Sequence, residues 1–275
     1  MDLKQFLPLP DLDALPSLLC VQPHPDDNEV GAGATIARVA KKGCRVTYVT
    51  VTDGGMGSTD MRMSREALAS IRRGEAQESG GMLGVSGFVW LDYPDGGGWS
   101  GRDLRDQLVR LIRELRPAAL MAPDPWLLYE GHPDHVRTGL AAVEACLFSA
   151  LPRCGGGAGD ACGAEHSGGN CGGIGECSGT DASRFVLAAP CQPEWVILHS
   201  TSRPNVWVNA DDTWELKMKA VAAHASQFAY EWEMVSSFLA ARAQSLAEGR
   251  GFQTAEAFKV LPPIMLHAMP EAEAY

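Results

Sequence analysis

The chain lacks any run of about 18 to 20 consecutive apolar residues, the length that a membrane-spanning helix needs. Its start, Met1-Asp2-Leu3-Lys4-Gln5-Phe6-Leu7-Pro8, has no basic segment followed by an apolar core, so no signal peptide is expected and a cytoplasmic protein is the default. Runs of Lys or Arg are also missing, and the formal net charge is −11. Nucleic acid and anionic membrane surfaces are therefore not expected as partners, whereas a small neutral substrate is not disfavoured. None of the eight cysteines forms a Cys-x-x-Cys pair, which argues against a structural zinc knot. Cys20, Cys44 and Cys146 sit in apolar patterns and read as small buried hydrophobes. Cys154, Cys162, Cys171, Cys177 and Cys191 lie in or beside a glycine-rich stretch, where disulfides would be unusual in a reducing cytosol.

Hydrophobic residues make up 45% of the 275, enough for a sizeable core. The pattern predicts a single domain over 1–275 with no internal repeat. Strands are expected at Ser17 to Gln22, Arg45 to Val51, Phe88 to Leu91 and Ala118 to Ala122. Helices are expected at Val30 to Lys42, Ser64 to Leu83, Leu104 to Leu115 and His135 to Ala150, with Leu68, Ile71, Met82 and Leu83 buried in the second. This alternation implies an α/β, Rossmann-like, mostly parallel sheet flanked by helices in a three-layer sandwich. Further strands, Phe185 to Ala189, Trp195 to His199 and Asn205 to Val208, are expected to extend it. Helices Trp214 to Ala225 and Glu231 to Ala247 follow, with Asp211-Asp212-Thr213 as a cap for the first. Glycine supplies 11 of the 26 residues from Cys154 to Gly179. Residues 152–183 therefore read as a Gly/Cys-rich mobile insertion, too poor in apolar side chains to offset the entropy of ordering.

Against this background stand two histidine–carboxylate clusters. Pro23-His24-Pro25-Asp26-Asp27 follows the first strand, and Gly131-His132-Pro133-Asp134-His135 follows the fourth. Loops at the carboxyl ends of two strands meet in one crevice of an open α/β sheet. Together they offer three His and three Asp, enough for a His/His/Asp metal site with a spare carboxylate as base and a spare imidazole as acid. Of Asp26 and Asp27, one can bind a metal while the other faces its water. The bland reading, in which both only cap the next helix, leaves His24 and the second cluster unexplained. Of His132 and His135, one can ligate while the other contacts the reacting oxygen. Asp134 is expected to orient His132 and raise its pKa.

Pro23-His24-Pro25-Asp26-Asp27-Asn28-Glu29 resembles the opening (A/P)-H-P-D-D-x-E motif of the LmbE/PIG-L zinc deacetylases, and Gly131-His132-Pro133-Asp134-His135 resembles their downstream H-P-D-H motif. Gly31-Ala32-Gly33-Ala34-Thr35, Thr52-Asp53-Gly54, Arg72-Arg73-Gly74-Glu75-Ala76, Leu91-Asp92-Tyr93-Pro94-Asp95-Gly96 and, later, Lys217 with Ala223-His224-Ala225-Ser226-Gln227 stand in family order. The segment Asp124 to Glu130 most resembles the diacetylchitobiose deacetylase branch. The insertion has no counterpart in that pattern. The resemblance implies His24, Asp27 and His135 as ligands of one Zn²⁺, Asp26 as general base, and His132 held by Asp134 as oxyanion stabiliser and proton donor. It implies removal of an N-acetyl group from an N-acetylglucosamine-containing substrate, with release of acetate, by a homo-oligomer, trimer or hexamer. Fe²⁺ or another divalent ion would suit the same donors.

Around this centre, Asp95 and Asp53 are candidates to accept bonds from sugar hydroxyls, and Arg72 and Arg73 to donate. Tyr129 can lean over the acyl group, Trp126 can stack on a ring, and His267 can reach the pocket, its own or that of a neighbouring subunit. His199 and His224 read as structural. Two other readings stand beside the deacetylase. One is an amidase acting on a thiol-conjugate or antibiotic-type amide. The other is a non-catalytic metal- or nucleotide-binding module, suggested by Gly31-Ala32-Gly33 but lacking the third glycine.

Overall fold

The computed structural model describes residues 5–154 and 188–275. Its strands are β1 Ser17–Gln22, β2 Arg45–Thr52, β3 Gly87–Tyr93, β4 Ala119–Pro123, β5 Trp195–His199, β6 Val206–Asn209 and β7 Ala255–Leu261. Its helices are α1 Asp27–Lys41, α2 Arg65–Leu83, α3 Gly101–Leu115, α4 Pro133–Phe148, α5 Trp214–Ala223, the short α6 Ala225–Phe228, and α7 Trp232–Ala247. The sheet order is β3-β2-β1-β4-β5-β7-β6. Strands β3 to β5 in that order are parallel, and β7 pairs antiparallel with both β5 and β6.

The period-2 alternation of each strand assigns side chains to the two faces. Leu18 and Cys20 of β1, Val46 and Tyr48 of β2, and Met121 of β4 join a core with Ile36 and Val39 of α1, Leu83 of α2 and Ala220 of α5. Leu19, Val21, Val49, Val51 and Leu120 join the opposite core with Leu104, Leu108 and Ile112 of α3 and Ala142 and Cys146 of α4. Both faces are covered, as a parallel sheet requires, so the expected three-layer α/β sandwich is present. Burying one such Leu or Ile is worth about 1.5–3 kcal/mol.

Most sequence-read elements agree to within a few residues, and three differ. Helix α1 begins at Asp27, not Val30, which brings Asp27 into its first turn. Ile71 and Met82 of α2 are exposed, because only one face of that helix meets the core. Strand β7 carries Glu256 and Lys259 as buried residues, so its polar positions concealed it. The predicted strand Phe185 to Ala189 and the insertion with Cys162, Cys171, Cys177 and His166 lie outside the described residues, save that Ala188 and Ala189 form no regular element.

Ser64 caps α2 by accepting from Ala67 N–H, as its residue type predicts. Asp211 does not cap α5; it accepts from Gln253 N–H and Thr254 N–H and so holds the turn before β7.

Candidate active site

The chain runs β1→β2→β3 in one direction and then returns to β4 and β5 on the other side of β1. That reversal is the topological switch point, where ligands bind outside the carboxyl ends of such strands. The two motif loops leave the adjacent strands β1 and β4 and meet there.

After β1 the chain turns sharply. Thr52 fixes Pro23 O through both its N–H and its hydroxyl, each at 2.9 Å. Asp26 then adopts a φ of 138°, a conformation that costs a non-glycine residue of order 1–3 kcal/mol. It occupies the N-cap of α1 but makes no side-chain cap bond there. Its Oδ2 instead accepts from Arg72 Nη2 at 3.1 Å. The same buried guanidinium donates to Pro25 O and Gly54 O, which ties the loops after β1 and β2 together. Gly54 has a φ of +67°, and a Cβ there would lie 2.9 Å from both Arg72 Nη1 and Pro25 Cδ, so the turn needs glycine.

Asp27 faces the opposite way. Its Oδ2 accepts from His24 N–H at 2.8 Å and lies 3.2 Å from His24 Nδ1, while Oδ1 lies 3.4 Å from His135 Nε2. One donor atom from each of His24, Asp27 and His135 falls within 4.8 Å of the others. Two imidazoles and one carboxylate form a donor set that suits zinc and several other divalent ions. Each imidazole also has a carboxylate behind its remaining nitrogen. His24 Nε2 faces Asp95 Oδ1 at 3.2 Å, and His135 Nδ1 faces Glu130 Oε2 at 3.5 Å. Such outer carboxylates fix the tautomer and orientation of ligating histidines.

His132 caps α4 through its ring: Nδ1 accepts from Asp134 N–H at 3.3 Å. This bond places the proton of the neutral imidazole on Nε2. The ring centroids of His24, His132 and His135 form a triangle with sides of 4.6, 5.2 and 5.1 Å.

The electrostatics follow from burial and from an excess of carboxylates. Burial lifts Asp26 to about 6, with the Arg72 guanidinium only partly opposing and Asp27 adding to the rise. Burial disfavours a charged His24, yet Asp134, Asp27 and Asp95 push it up to about 12. Asp27 is held well below the usual carboxylate range by His24 and His135 despite its burial. Burial also raises Asp95, but the bonds from His24 and from Met56 N–H outweigh it and bring Asp95 to about 2. These carboxylates create a demand for positive charge at the centre, and the donor set is arranged to place a cation there.

A cavity of about 380 Å³ opens onto this centre, lined by His24, Asp26, Met56, Gly57, Arg72, Asp95, Gly96, His132 and Gln227. The sequence candidates sort against it. Asp26, His132, Asp95 and Arg72 line it, and Asp27, His135 and Asp134 lie directly behind. Asp53 does not: its Oδ1 accepts from Gly55 N–H and Asp95 N–H, an Asx turn that shapes the loop. Arg73 pairs with Asp92 and stacks over Trp90, facing a separate surface pocket. Trp126 and Tyr129 line a different and larger groove of about 780 Å³. His267 is exposed and lines neither.

Asp95 and Asp134 both also serve the protein. Asp95 Oδ1 lies 3.2 Å from His24 Nε2 and its Oδ2 accepts from Met56 N–H at 2.9 Å. Asp134 does push the His132 pKa up, as expected, but it is outweighed. Its Oδ2 accepts from Gly96 N–H at 2.7 Å and lies 3.6 Å from His24 Nε2. Burial, then the neighbouring His24 and His135, lower the His132 pKa. The sequence reading gave no role to Glu130 or Gln227. Glu130 stands five residues before His135, a spacing with no recognised signal; Gln227 was visible only as part of the Ser226-Gln227 pair.

The glycines that suggested a nucleotide site have another purpose. A Cβ on Gly31 would lie 2.3 Å from His199 Nδ1, and one on Gly33 would lie 3.1 Å from the Lys217 side chain. Both allow α1 to pack closely, and both lie inside the helix rather than in a phosphate-binding turn.

The family described as PIG-L: GlcNAc-PI de-N-acetylase matches residues 19–146. The diacetylchitobiose deacetylase of Thermococcus kodakarensis is 34% identical over 259 residues, covering 93% of this chain and 86% of that protein. The 1D-myo-inositol 2-acetamido-2-deoxy-alpha-D-glucopyranoside deacetylase of Kineococcus radiotolerans is 32% identical over 181 residues, covering 54% of this chain and 50% of its own length. Among solved structures, the N,N'-diacetylchitobiose deacetylase from Pyrococcus horikoshii in complex with its inhibitor superposes with a TM-score of 0.85. It is 35% identical and covers 99% of this chain and 95% of that one.

Proposed function

This chain belongs to the PIG-L family of de-N-acetylases, and from that premise we propose that it removes the acetyl group from N-acetylglucosamine or a chitooligosaccharide by metal-assisted hydrolysis. The observation that carries this reading is the convergence of His24, Asp27 and His135 beside a cavity whose wall holds Asp26 and His132.

His24, Asp27 and His135 would hold the ion, taken as one Zn²⁺ per chain. Bound there, the ion would polarise the amide carbonyl and lower the pKa of water from 15.7 towards about 7. Asp26, buried and held by Arg72 at one oxygen, takes the proton from the attacking water as general base. Its pKa of about 6 leaves it largely ionised at neutral pH while still a competent base. His132 donates its Nε2–H to the developing oxyanion, its tautomer set by the bond from Asp134 N–H. Neutral rather than cationic, it acts by hydrogen bonding. Asp95, Glu130 and Asp134 keep the imidazoles in place. Proton delivery to the leaving amine falls to Asp26 once it is protonated. The products are acetate and a free amino sugar.

Exposed Trp126, Leu128 and Tyr129 along the larger groove support the further reading that a second copy of the chain packs there, in a trimer or hexamer. Light scattering of the purified protein tests it. No helix among the described residues is long and apolar enough to cross a membrane.

The decisive assay is acetate release from N-acetylglucosamine and N,N'-diacetylchitobiose by protein stripped of metal and reloaded with Zn²⁺. We expect release only after reloading. Protein that binds one zinc per chain and releases acetate from neither sugar would move the substrate to a different amide.

A further inference from the structure

Among the described residues, Gln227 is the one lining residue of the catalytic cavity that comes from beyond residue 146, where the family match ends. It sits on α6, a four-residue helix held by a specific anchor. Glu75 of α2 accepts from both Ser226 N–H at 2.7 Å and the Ser226 hydroxyl at 2.6 Å. Gln227 Nε2 in turn donates to Ser226 Oγ at 3.1 Å, and Gln227 N–H donates to His224 O at 3.0 Å. The side-chain amide is thereby oriented with its donor turned inward and its acceptor turned toward the loop after β2. A Cβ on Gly57 would lie 2.7 Å from Gln227 Oε1 and 2.8 Å from Arg72 Nη1, so the absence of a side chain at Gly57 keeps that corner open.

Most other polar groups on the cavity wall have other tasks. Asp95 has a protein partner at each oxygen, Arg72 donates through Nη1 and Nη2 to Gly54 O, Pro25 O and Asp26 while its buried Nε has no partner, and His24, Asp26 and His132 are given to the centre. Among the described residues Gln227 Oε1 has no hydrogen-bond donor. An amide oxygen next to a hydroxylated substrate accepts from a hydroxyl.

We propose that Gln227 is a specificity-determining residue whose Oε1 accepts a hydrogen bond from a ring hydroxyl of the sugar. This rests on the deacetylase reading above. It gives the C-terminal part of the chain a direct hand in choosing a sugar over a plain acetamide, a task the metal and Asp26 cannot perform because they meet only the acetamido group.

The test is steady-state kinetics of zinc-loaded wild type and Gln227→Met, a substitution that keeps the side-chain length and removes the acceptor. Zinc content and thermal melting serve as controls. For N-acetylglucosamine we expect kcat/KM to fall about 10- to 100-fold, mainly through KM, as when a buried polar partner is lost. For N-acetylcyclohexylamine, which has no hydroxyls, wild type and variant should match within about twofold. Equal losses on both substrates would overturn the proposal in favour of a purely structural role, and so would an unchanged KM on the sugar. A zinc-loaded wild type that releases acetate from no sugar would overturn the deacetylase reading itself, and this inference with it.

Discussion

Two of the buried charged clusters on helix α1 are built on opposite principles. Halfway along it, Lys217 Nζ donates to Glu256 Oε1 at 2.6 Å and to Val30 O at 2.8 Å, while the Glu256 carboxylate accepts from Ala34 N–H and Thr35 N–H. One cation meets one anion, and Thr213 completes the grip by donating to Ala34 O. At the amino end of the same helix, Asp26, Asp27, Asp95 and Asp134 crowd around Arg72 and three imidazoles. The matched cluster is a clamp; its charges cancel and nothing further is needed. The unmatched one keeps surplus negative charge at a site with outward-facing nitrogen and oxygen donors. A folded protein tolerates such an imbalance where a ligand removes it, so the surplus marks the functional end.

The sharpest way to break the unmatched cluster without dissolving it is Asp26→Asn. We expect kcat to fall about 10²- to 10⁴-fold, the usual worth of a general base, with the metal retained because Asp26 lies outside the ligand set. Metal analysis alongside acetate release checks this; an active variant would remove Asp26 from the mechanism.

In the matched cluster, Lys217→Met should lower stability by about 3–5 kcal/mol, because it leaves Glu256 buried without its cation. The double variant Lys217→Met/Glu256→Gln should recover part of that loss, since a glutamine oxygen can still accept from Ala34 or Thr35 N–H. Denaturant titration distinguishes the two. A double variant less stable than the single one would contradict the clamp.

His199 touches neither cluster by a hydrogen bond but feels the charge of both, through Asp27 and His135 at one and Lys217 at the other. It is buried beside Gly31, and burial, chiefly, lowers its pKa to about 4. Its ordinary value is 6.5. Between these values the unfolded chain holds the proton and the folded one does not, so stability rises with pH. The contribution is fully present above pH 6.5 and lost as pH falls through 4, for a total of about 3 kcal/mol. His199→Gln should flatten melting temperature against pH in that window. The smallest effect belongs to a surface pair: Arg203 and Glu273 are each 64% exposed. Arg203→Ala should change stability by less than about 0.5 kcal/mol.

Particular residues show how far the sequence could be read. His24, Asp26, Asp27, His132 and His135 stood in short motifs after apolar strands, so their convergence followed from the βαβ topology. Trp126, Tyr129, Arg73 and Asp53 also neighbour motif residues, but the structure turns them away from the cavity. Adjacency along a loop does not set direction, because one backbone torsion can reverse a side chain. Glu256 and Lys259 were misleading for a related reason: buried polar residues imitate the exposed face of a strand until their partner, such as Lys217 for Glu256, 39 positions away, is known.

What the sequence determined by itself was the kind of chemistry and the half of the fold that hosts it. Hydrophobic periodicity dictates strands and helices, and three His with three Asp in two clusters restrict the reaction to a few mechanisms. The tertiary structure alone decided which carboxylate serves which histidine, why His132 is neutral, and that Gln227 joins a cavity built otherwise from the first 132 residues. Those outcomes depend on distances of about 3 Å between residues far apart in the chain. Hydrogen bonding and desolvation act over such distances through space, and only packing sets them.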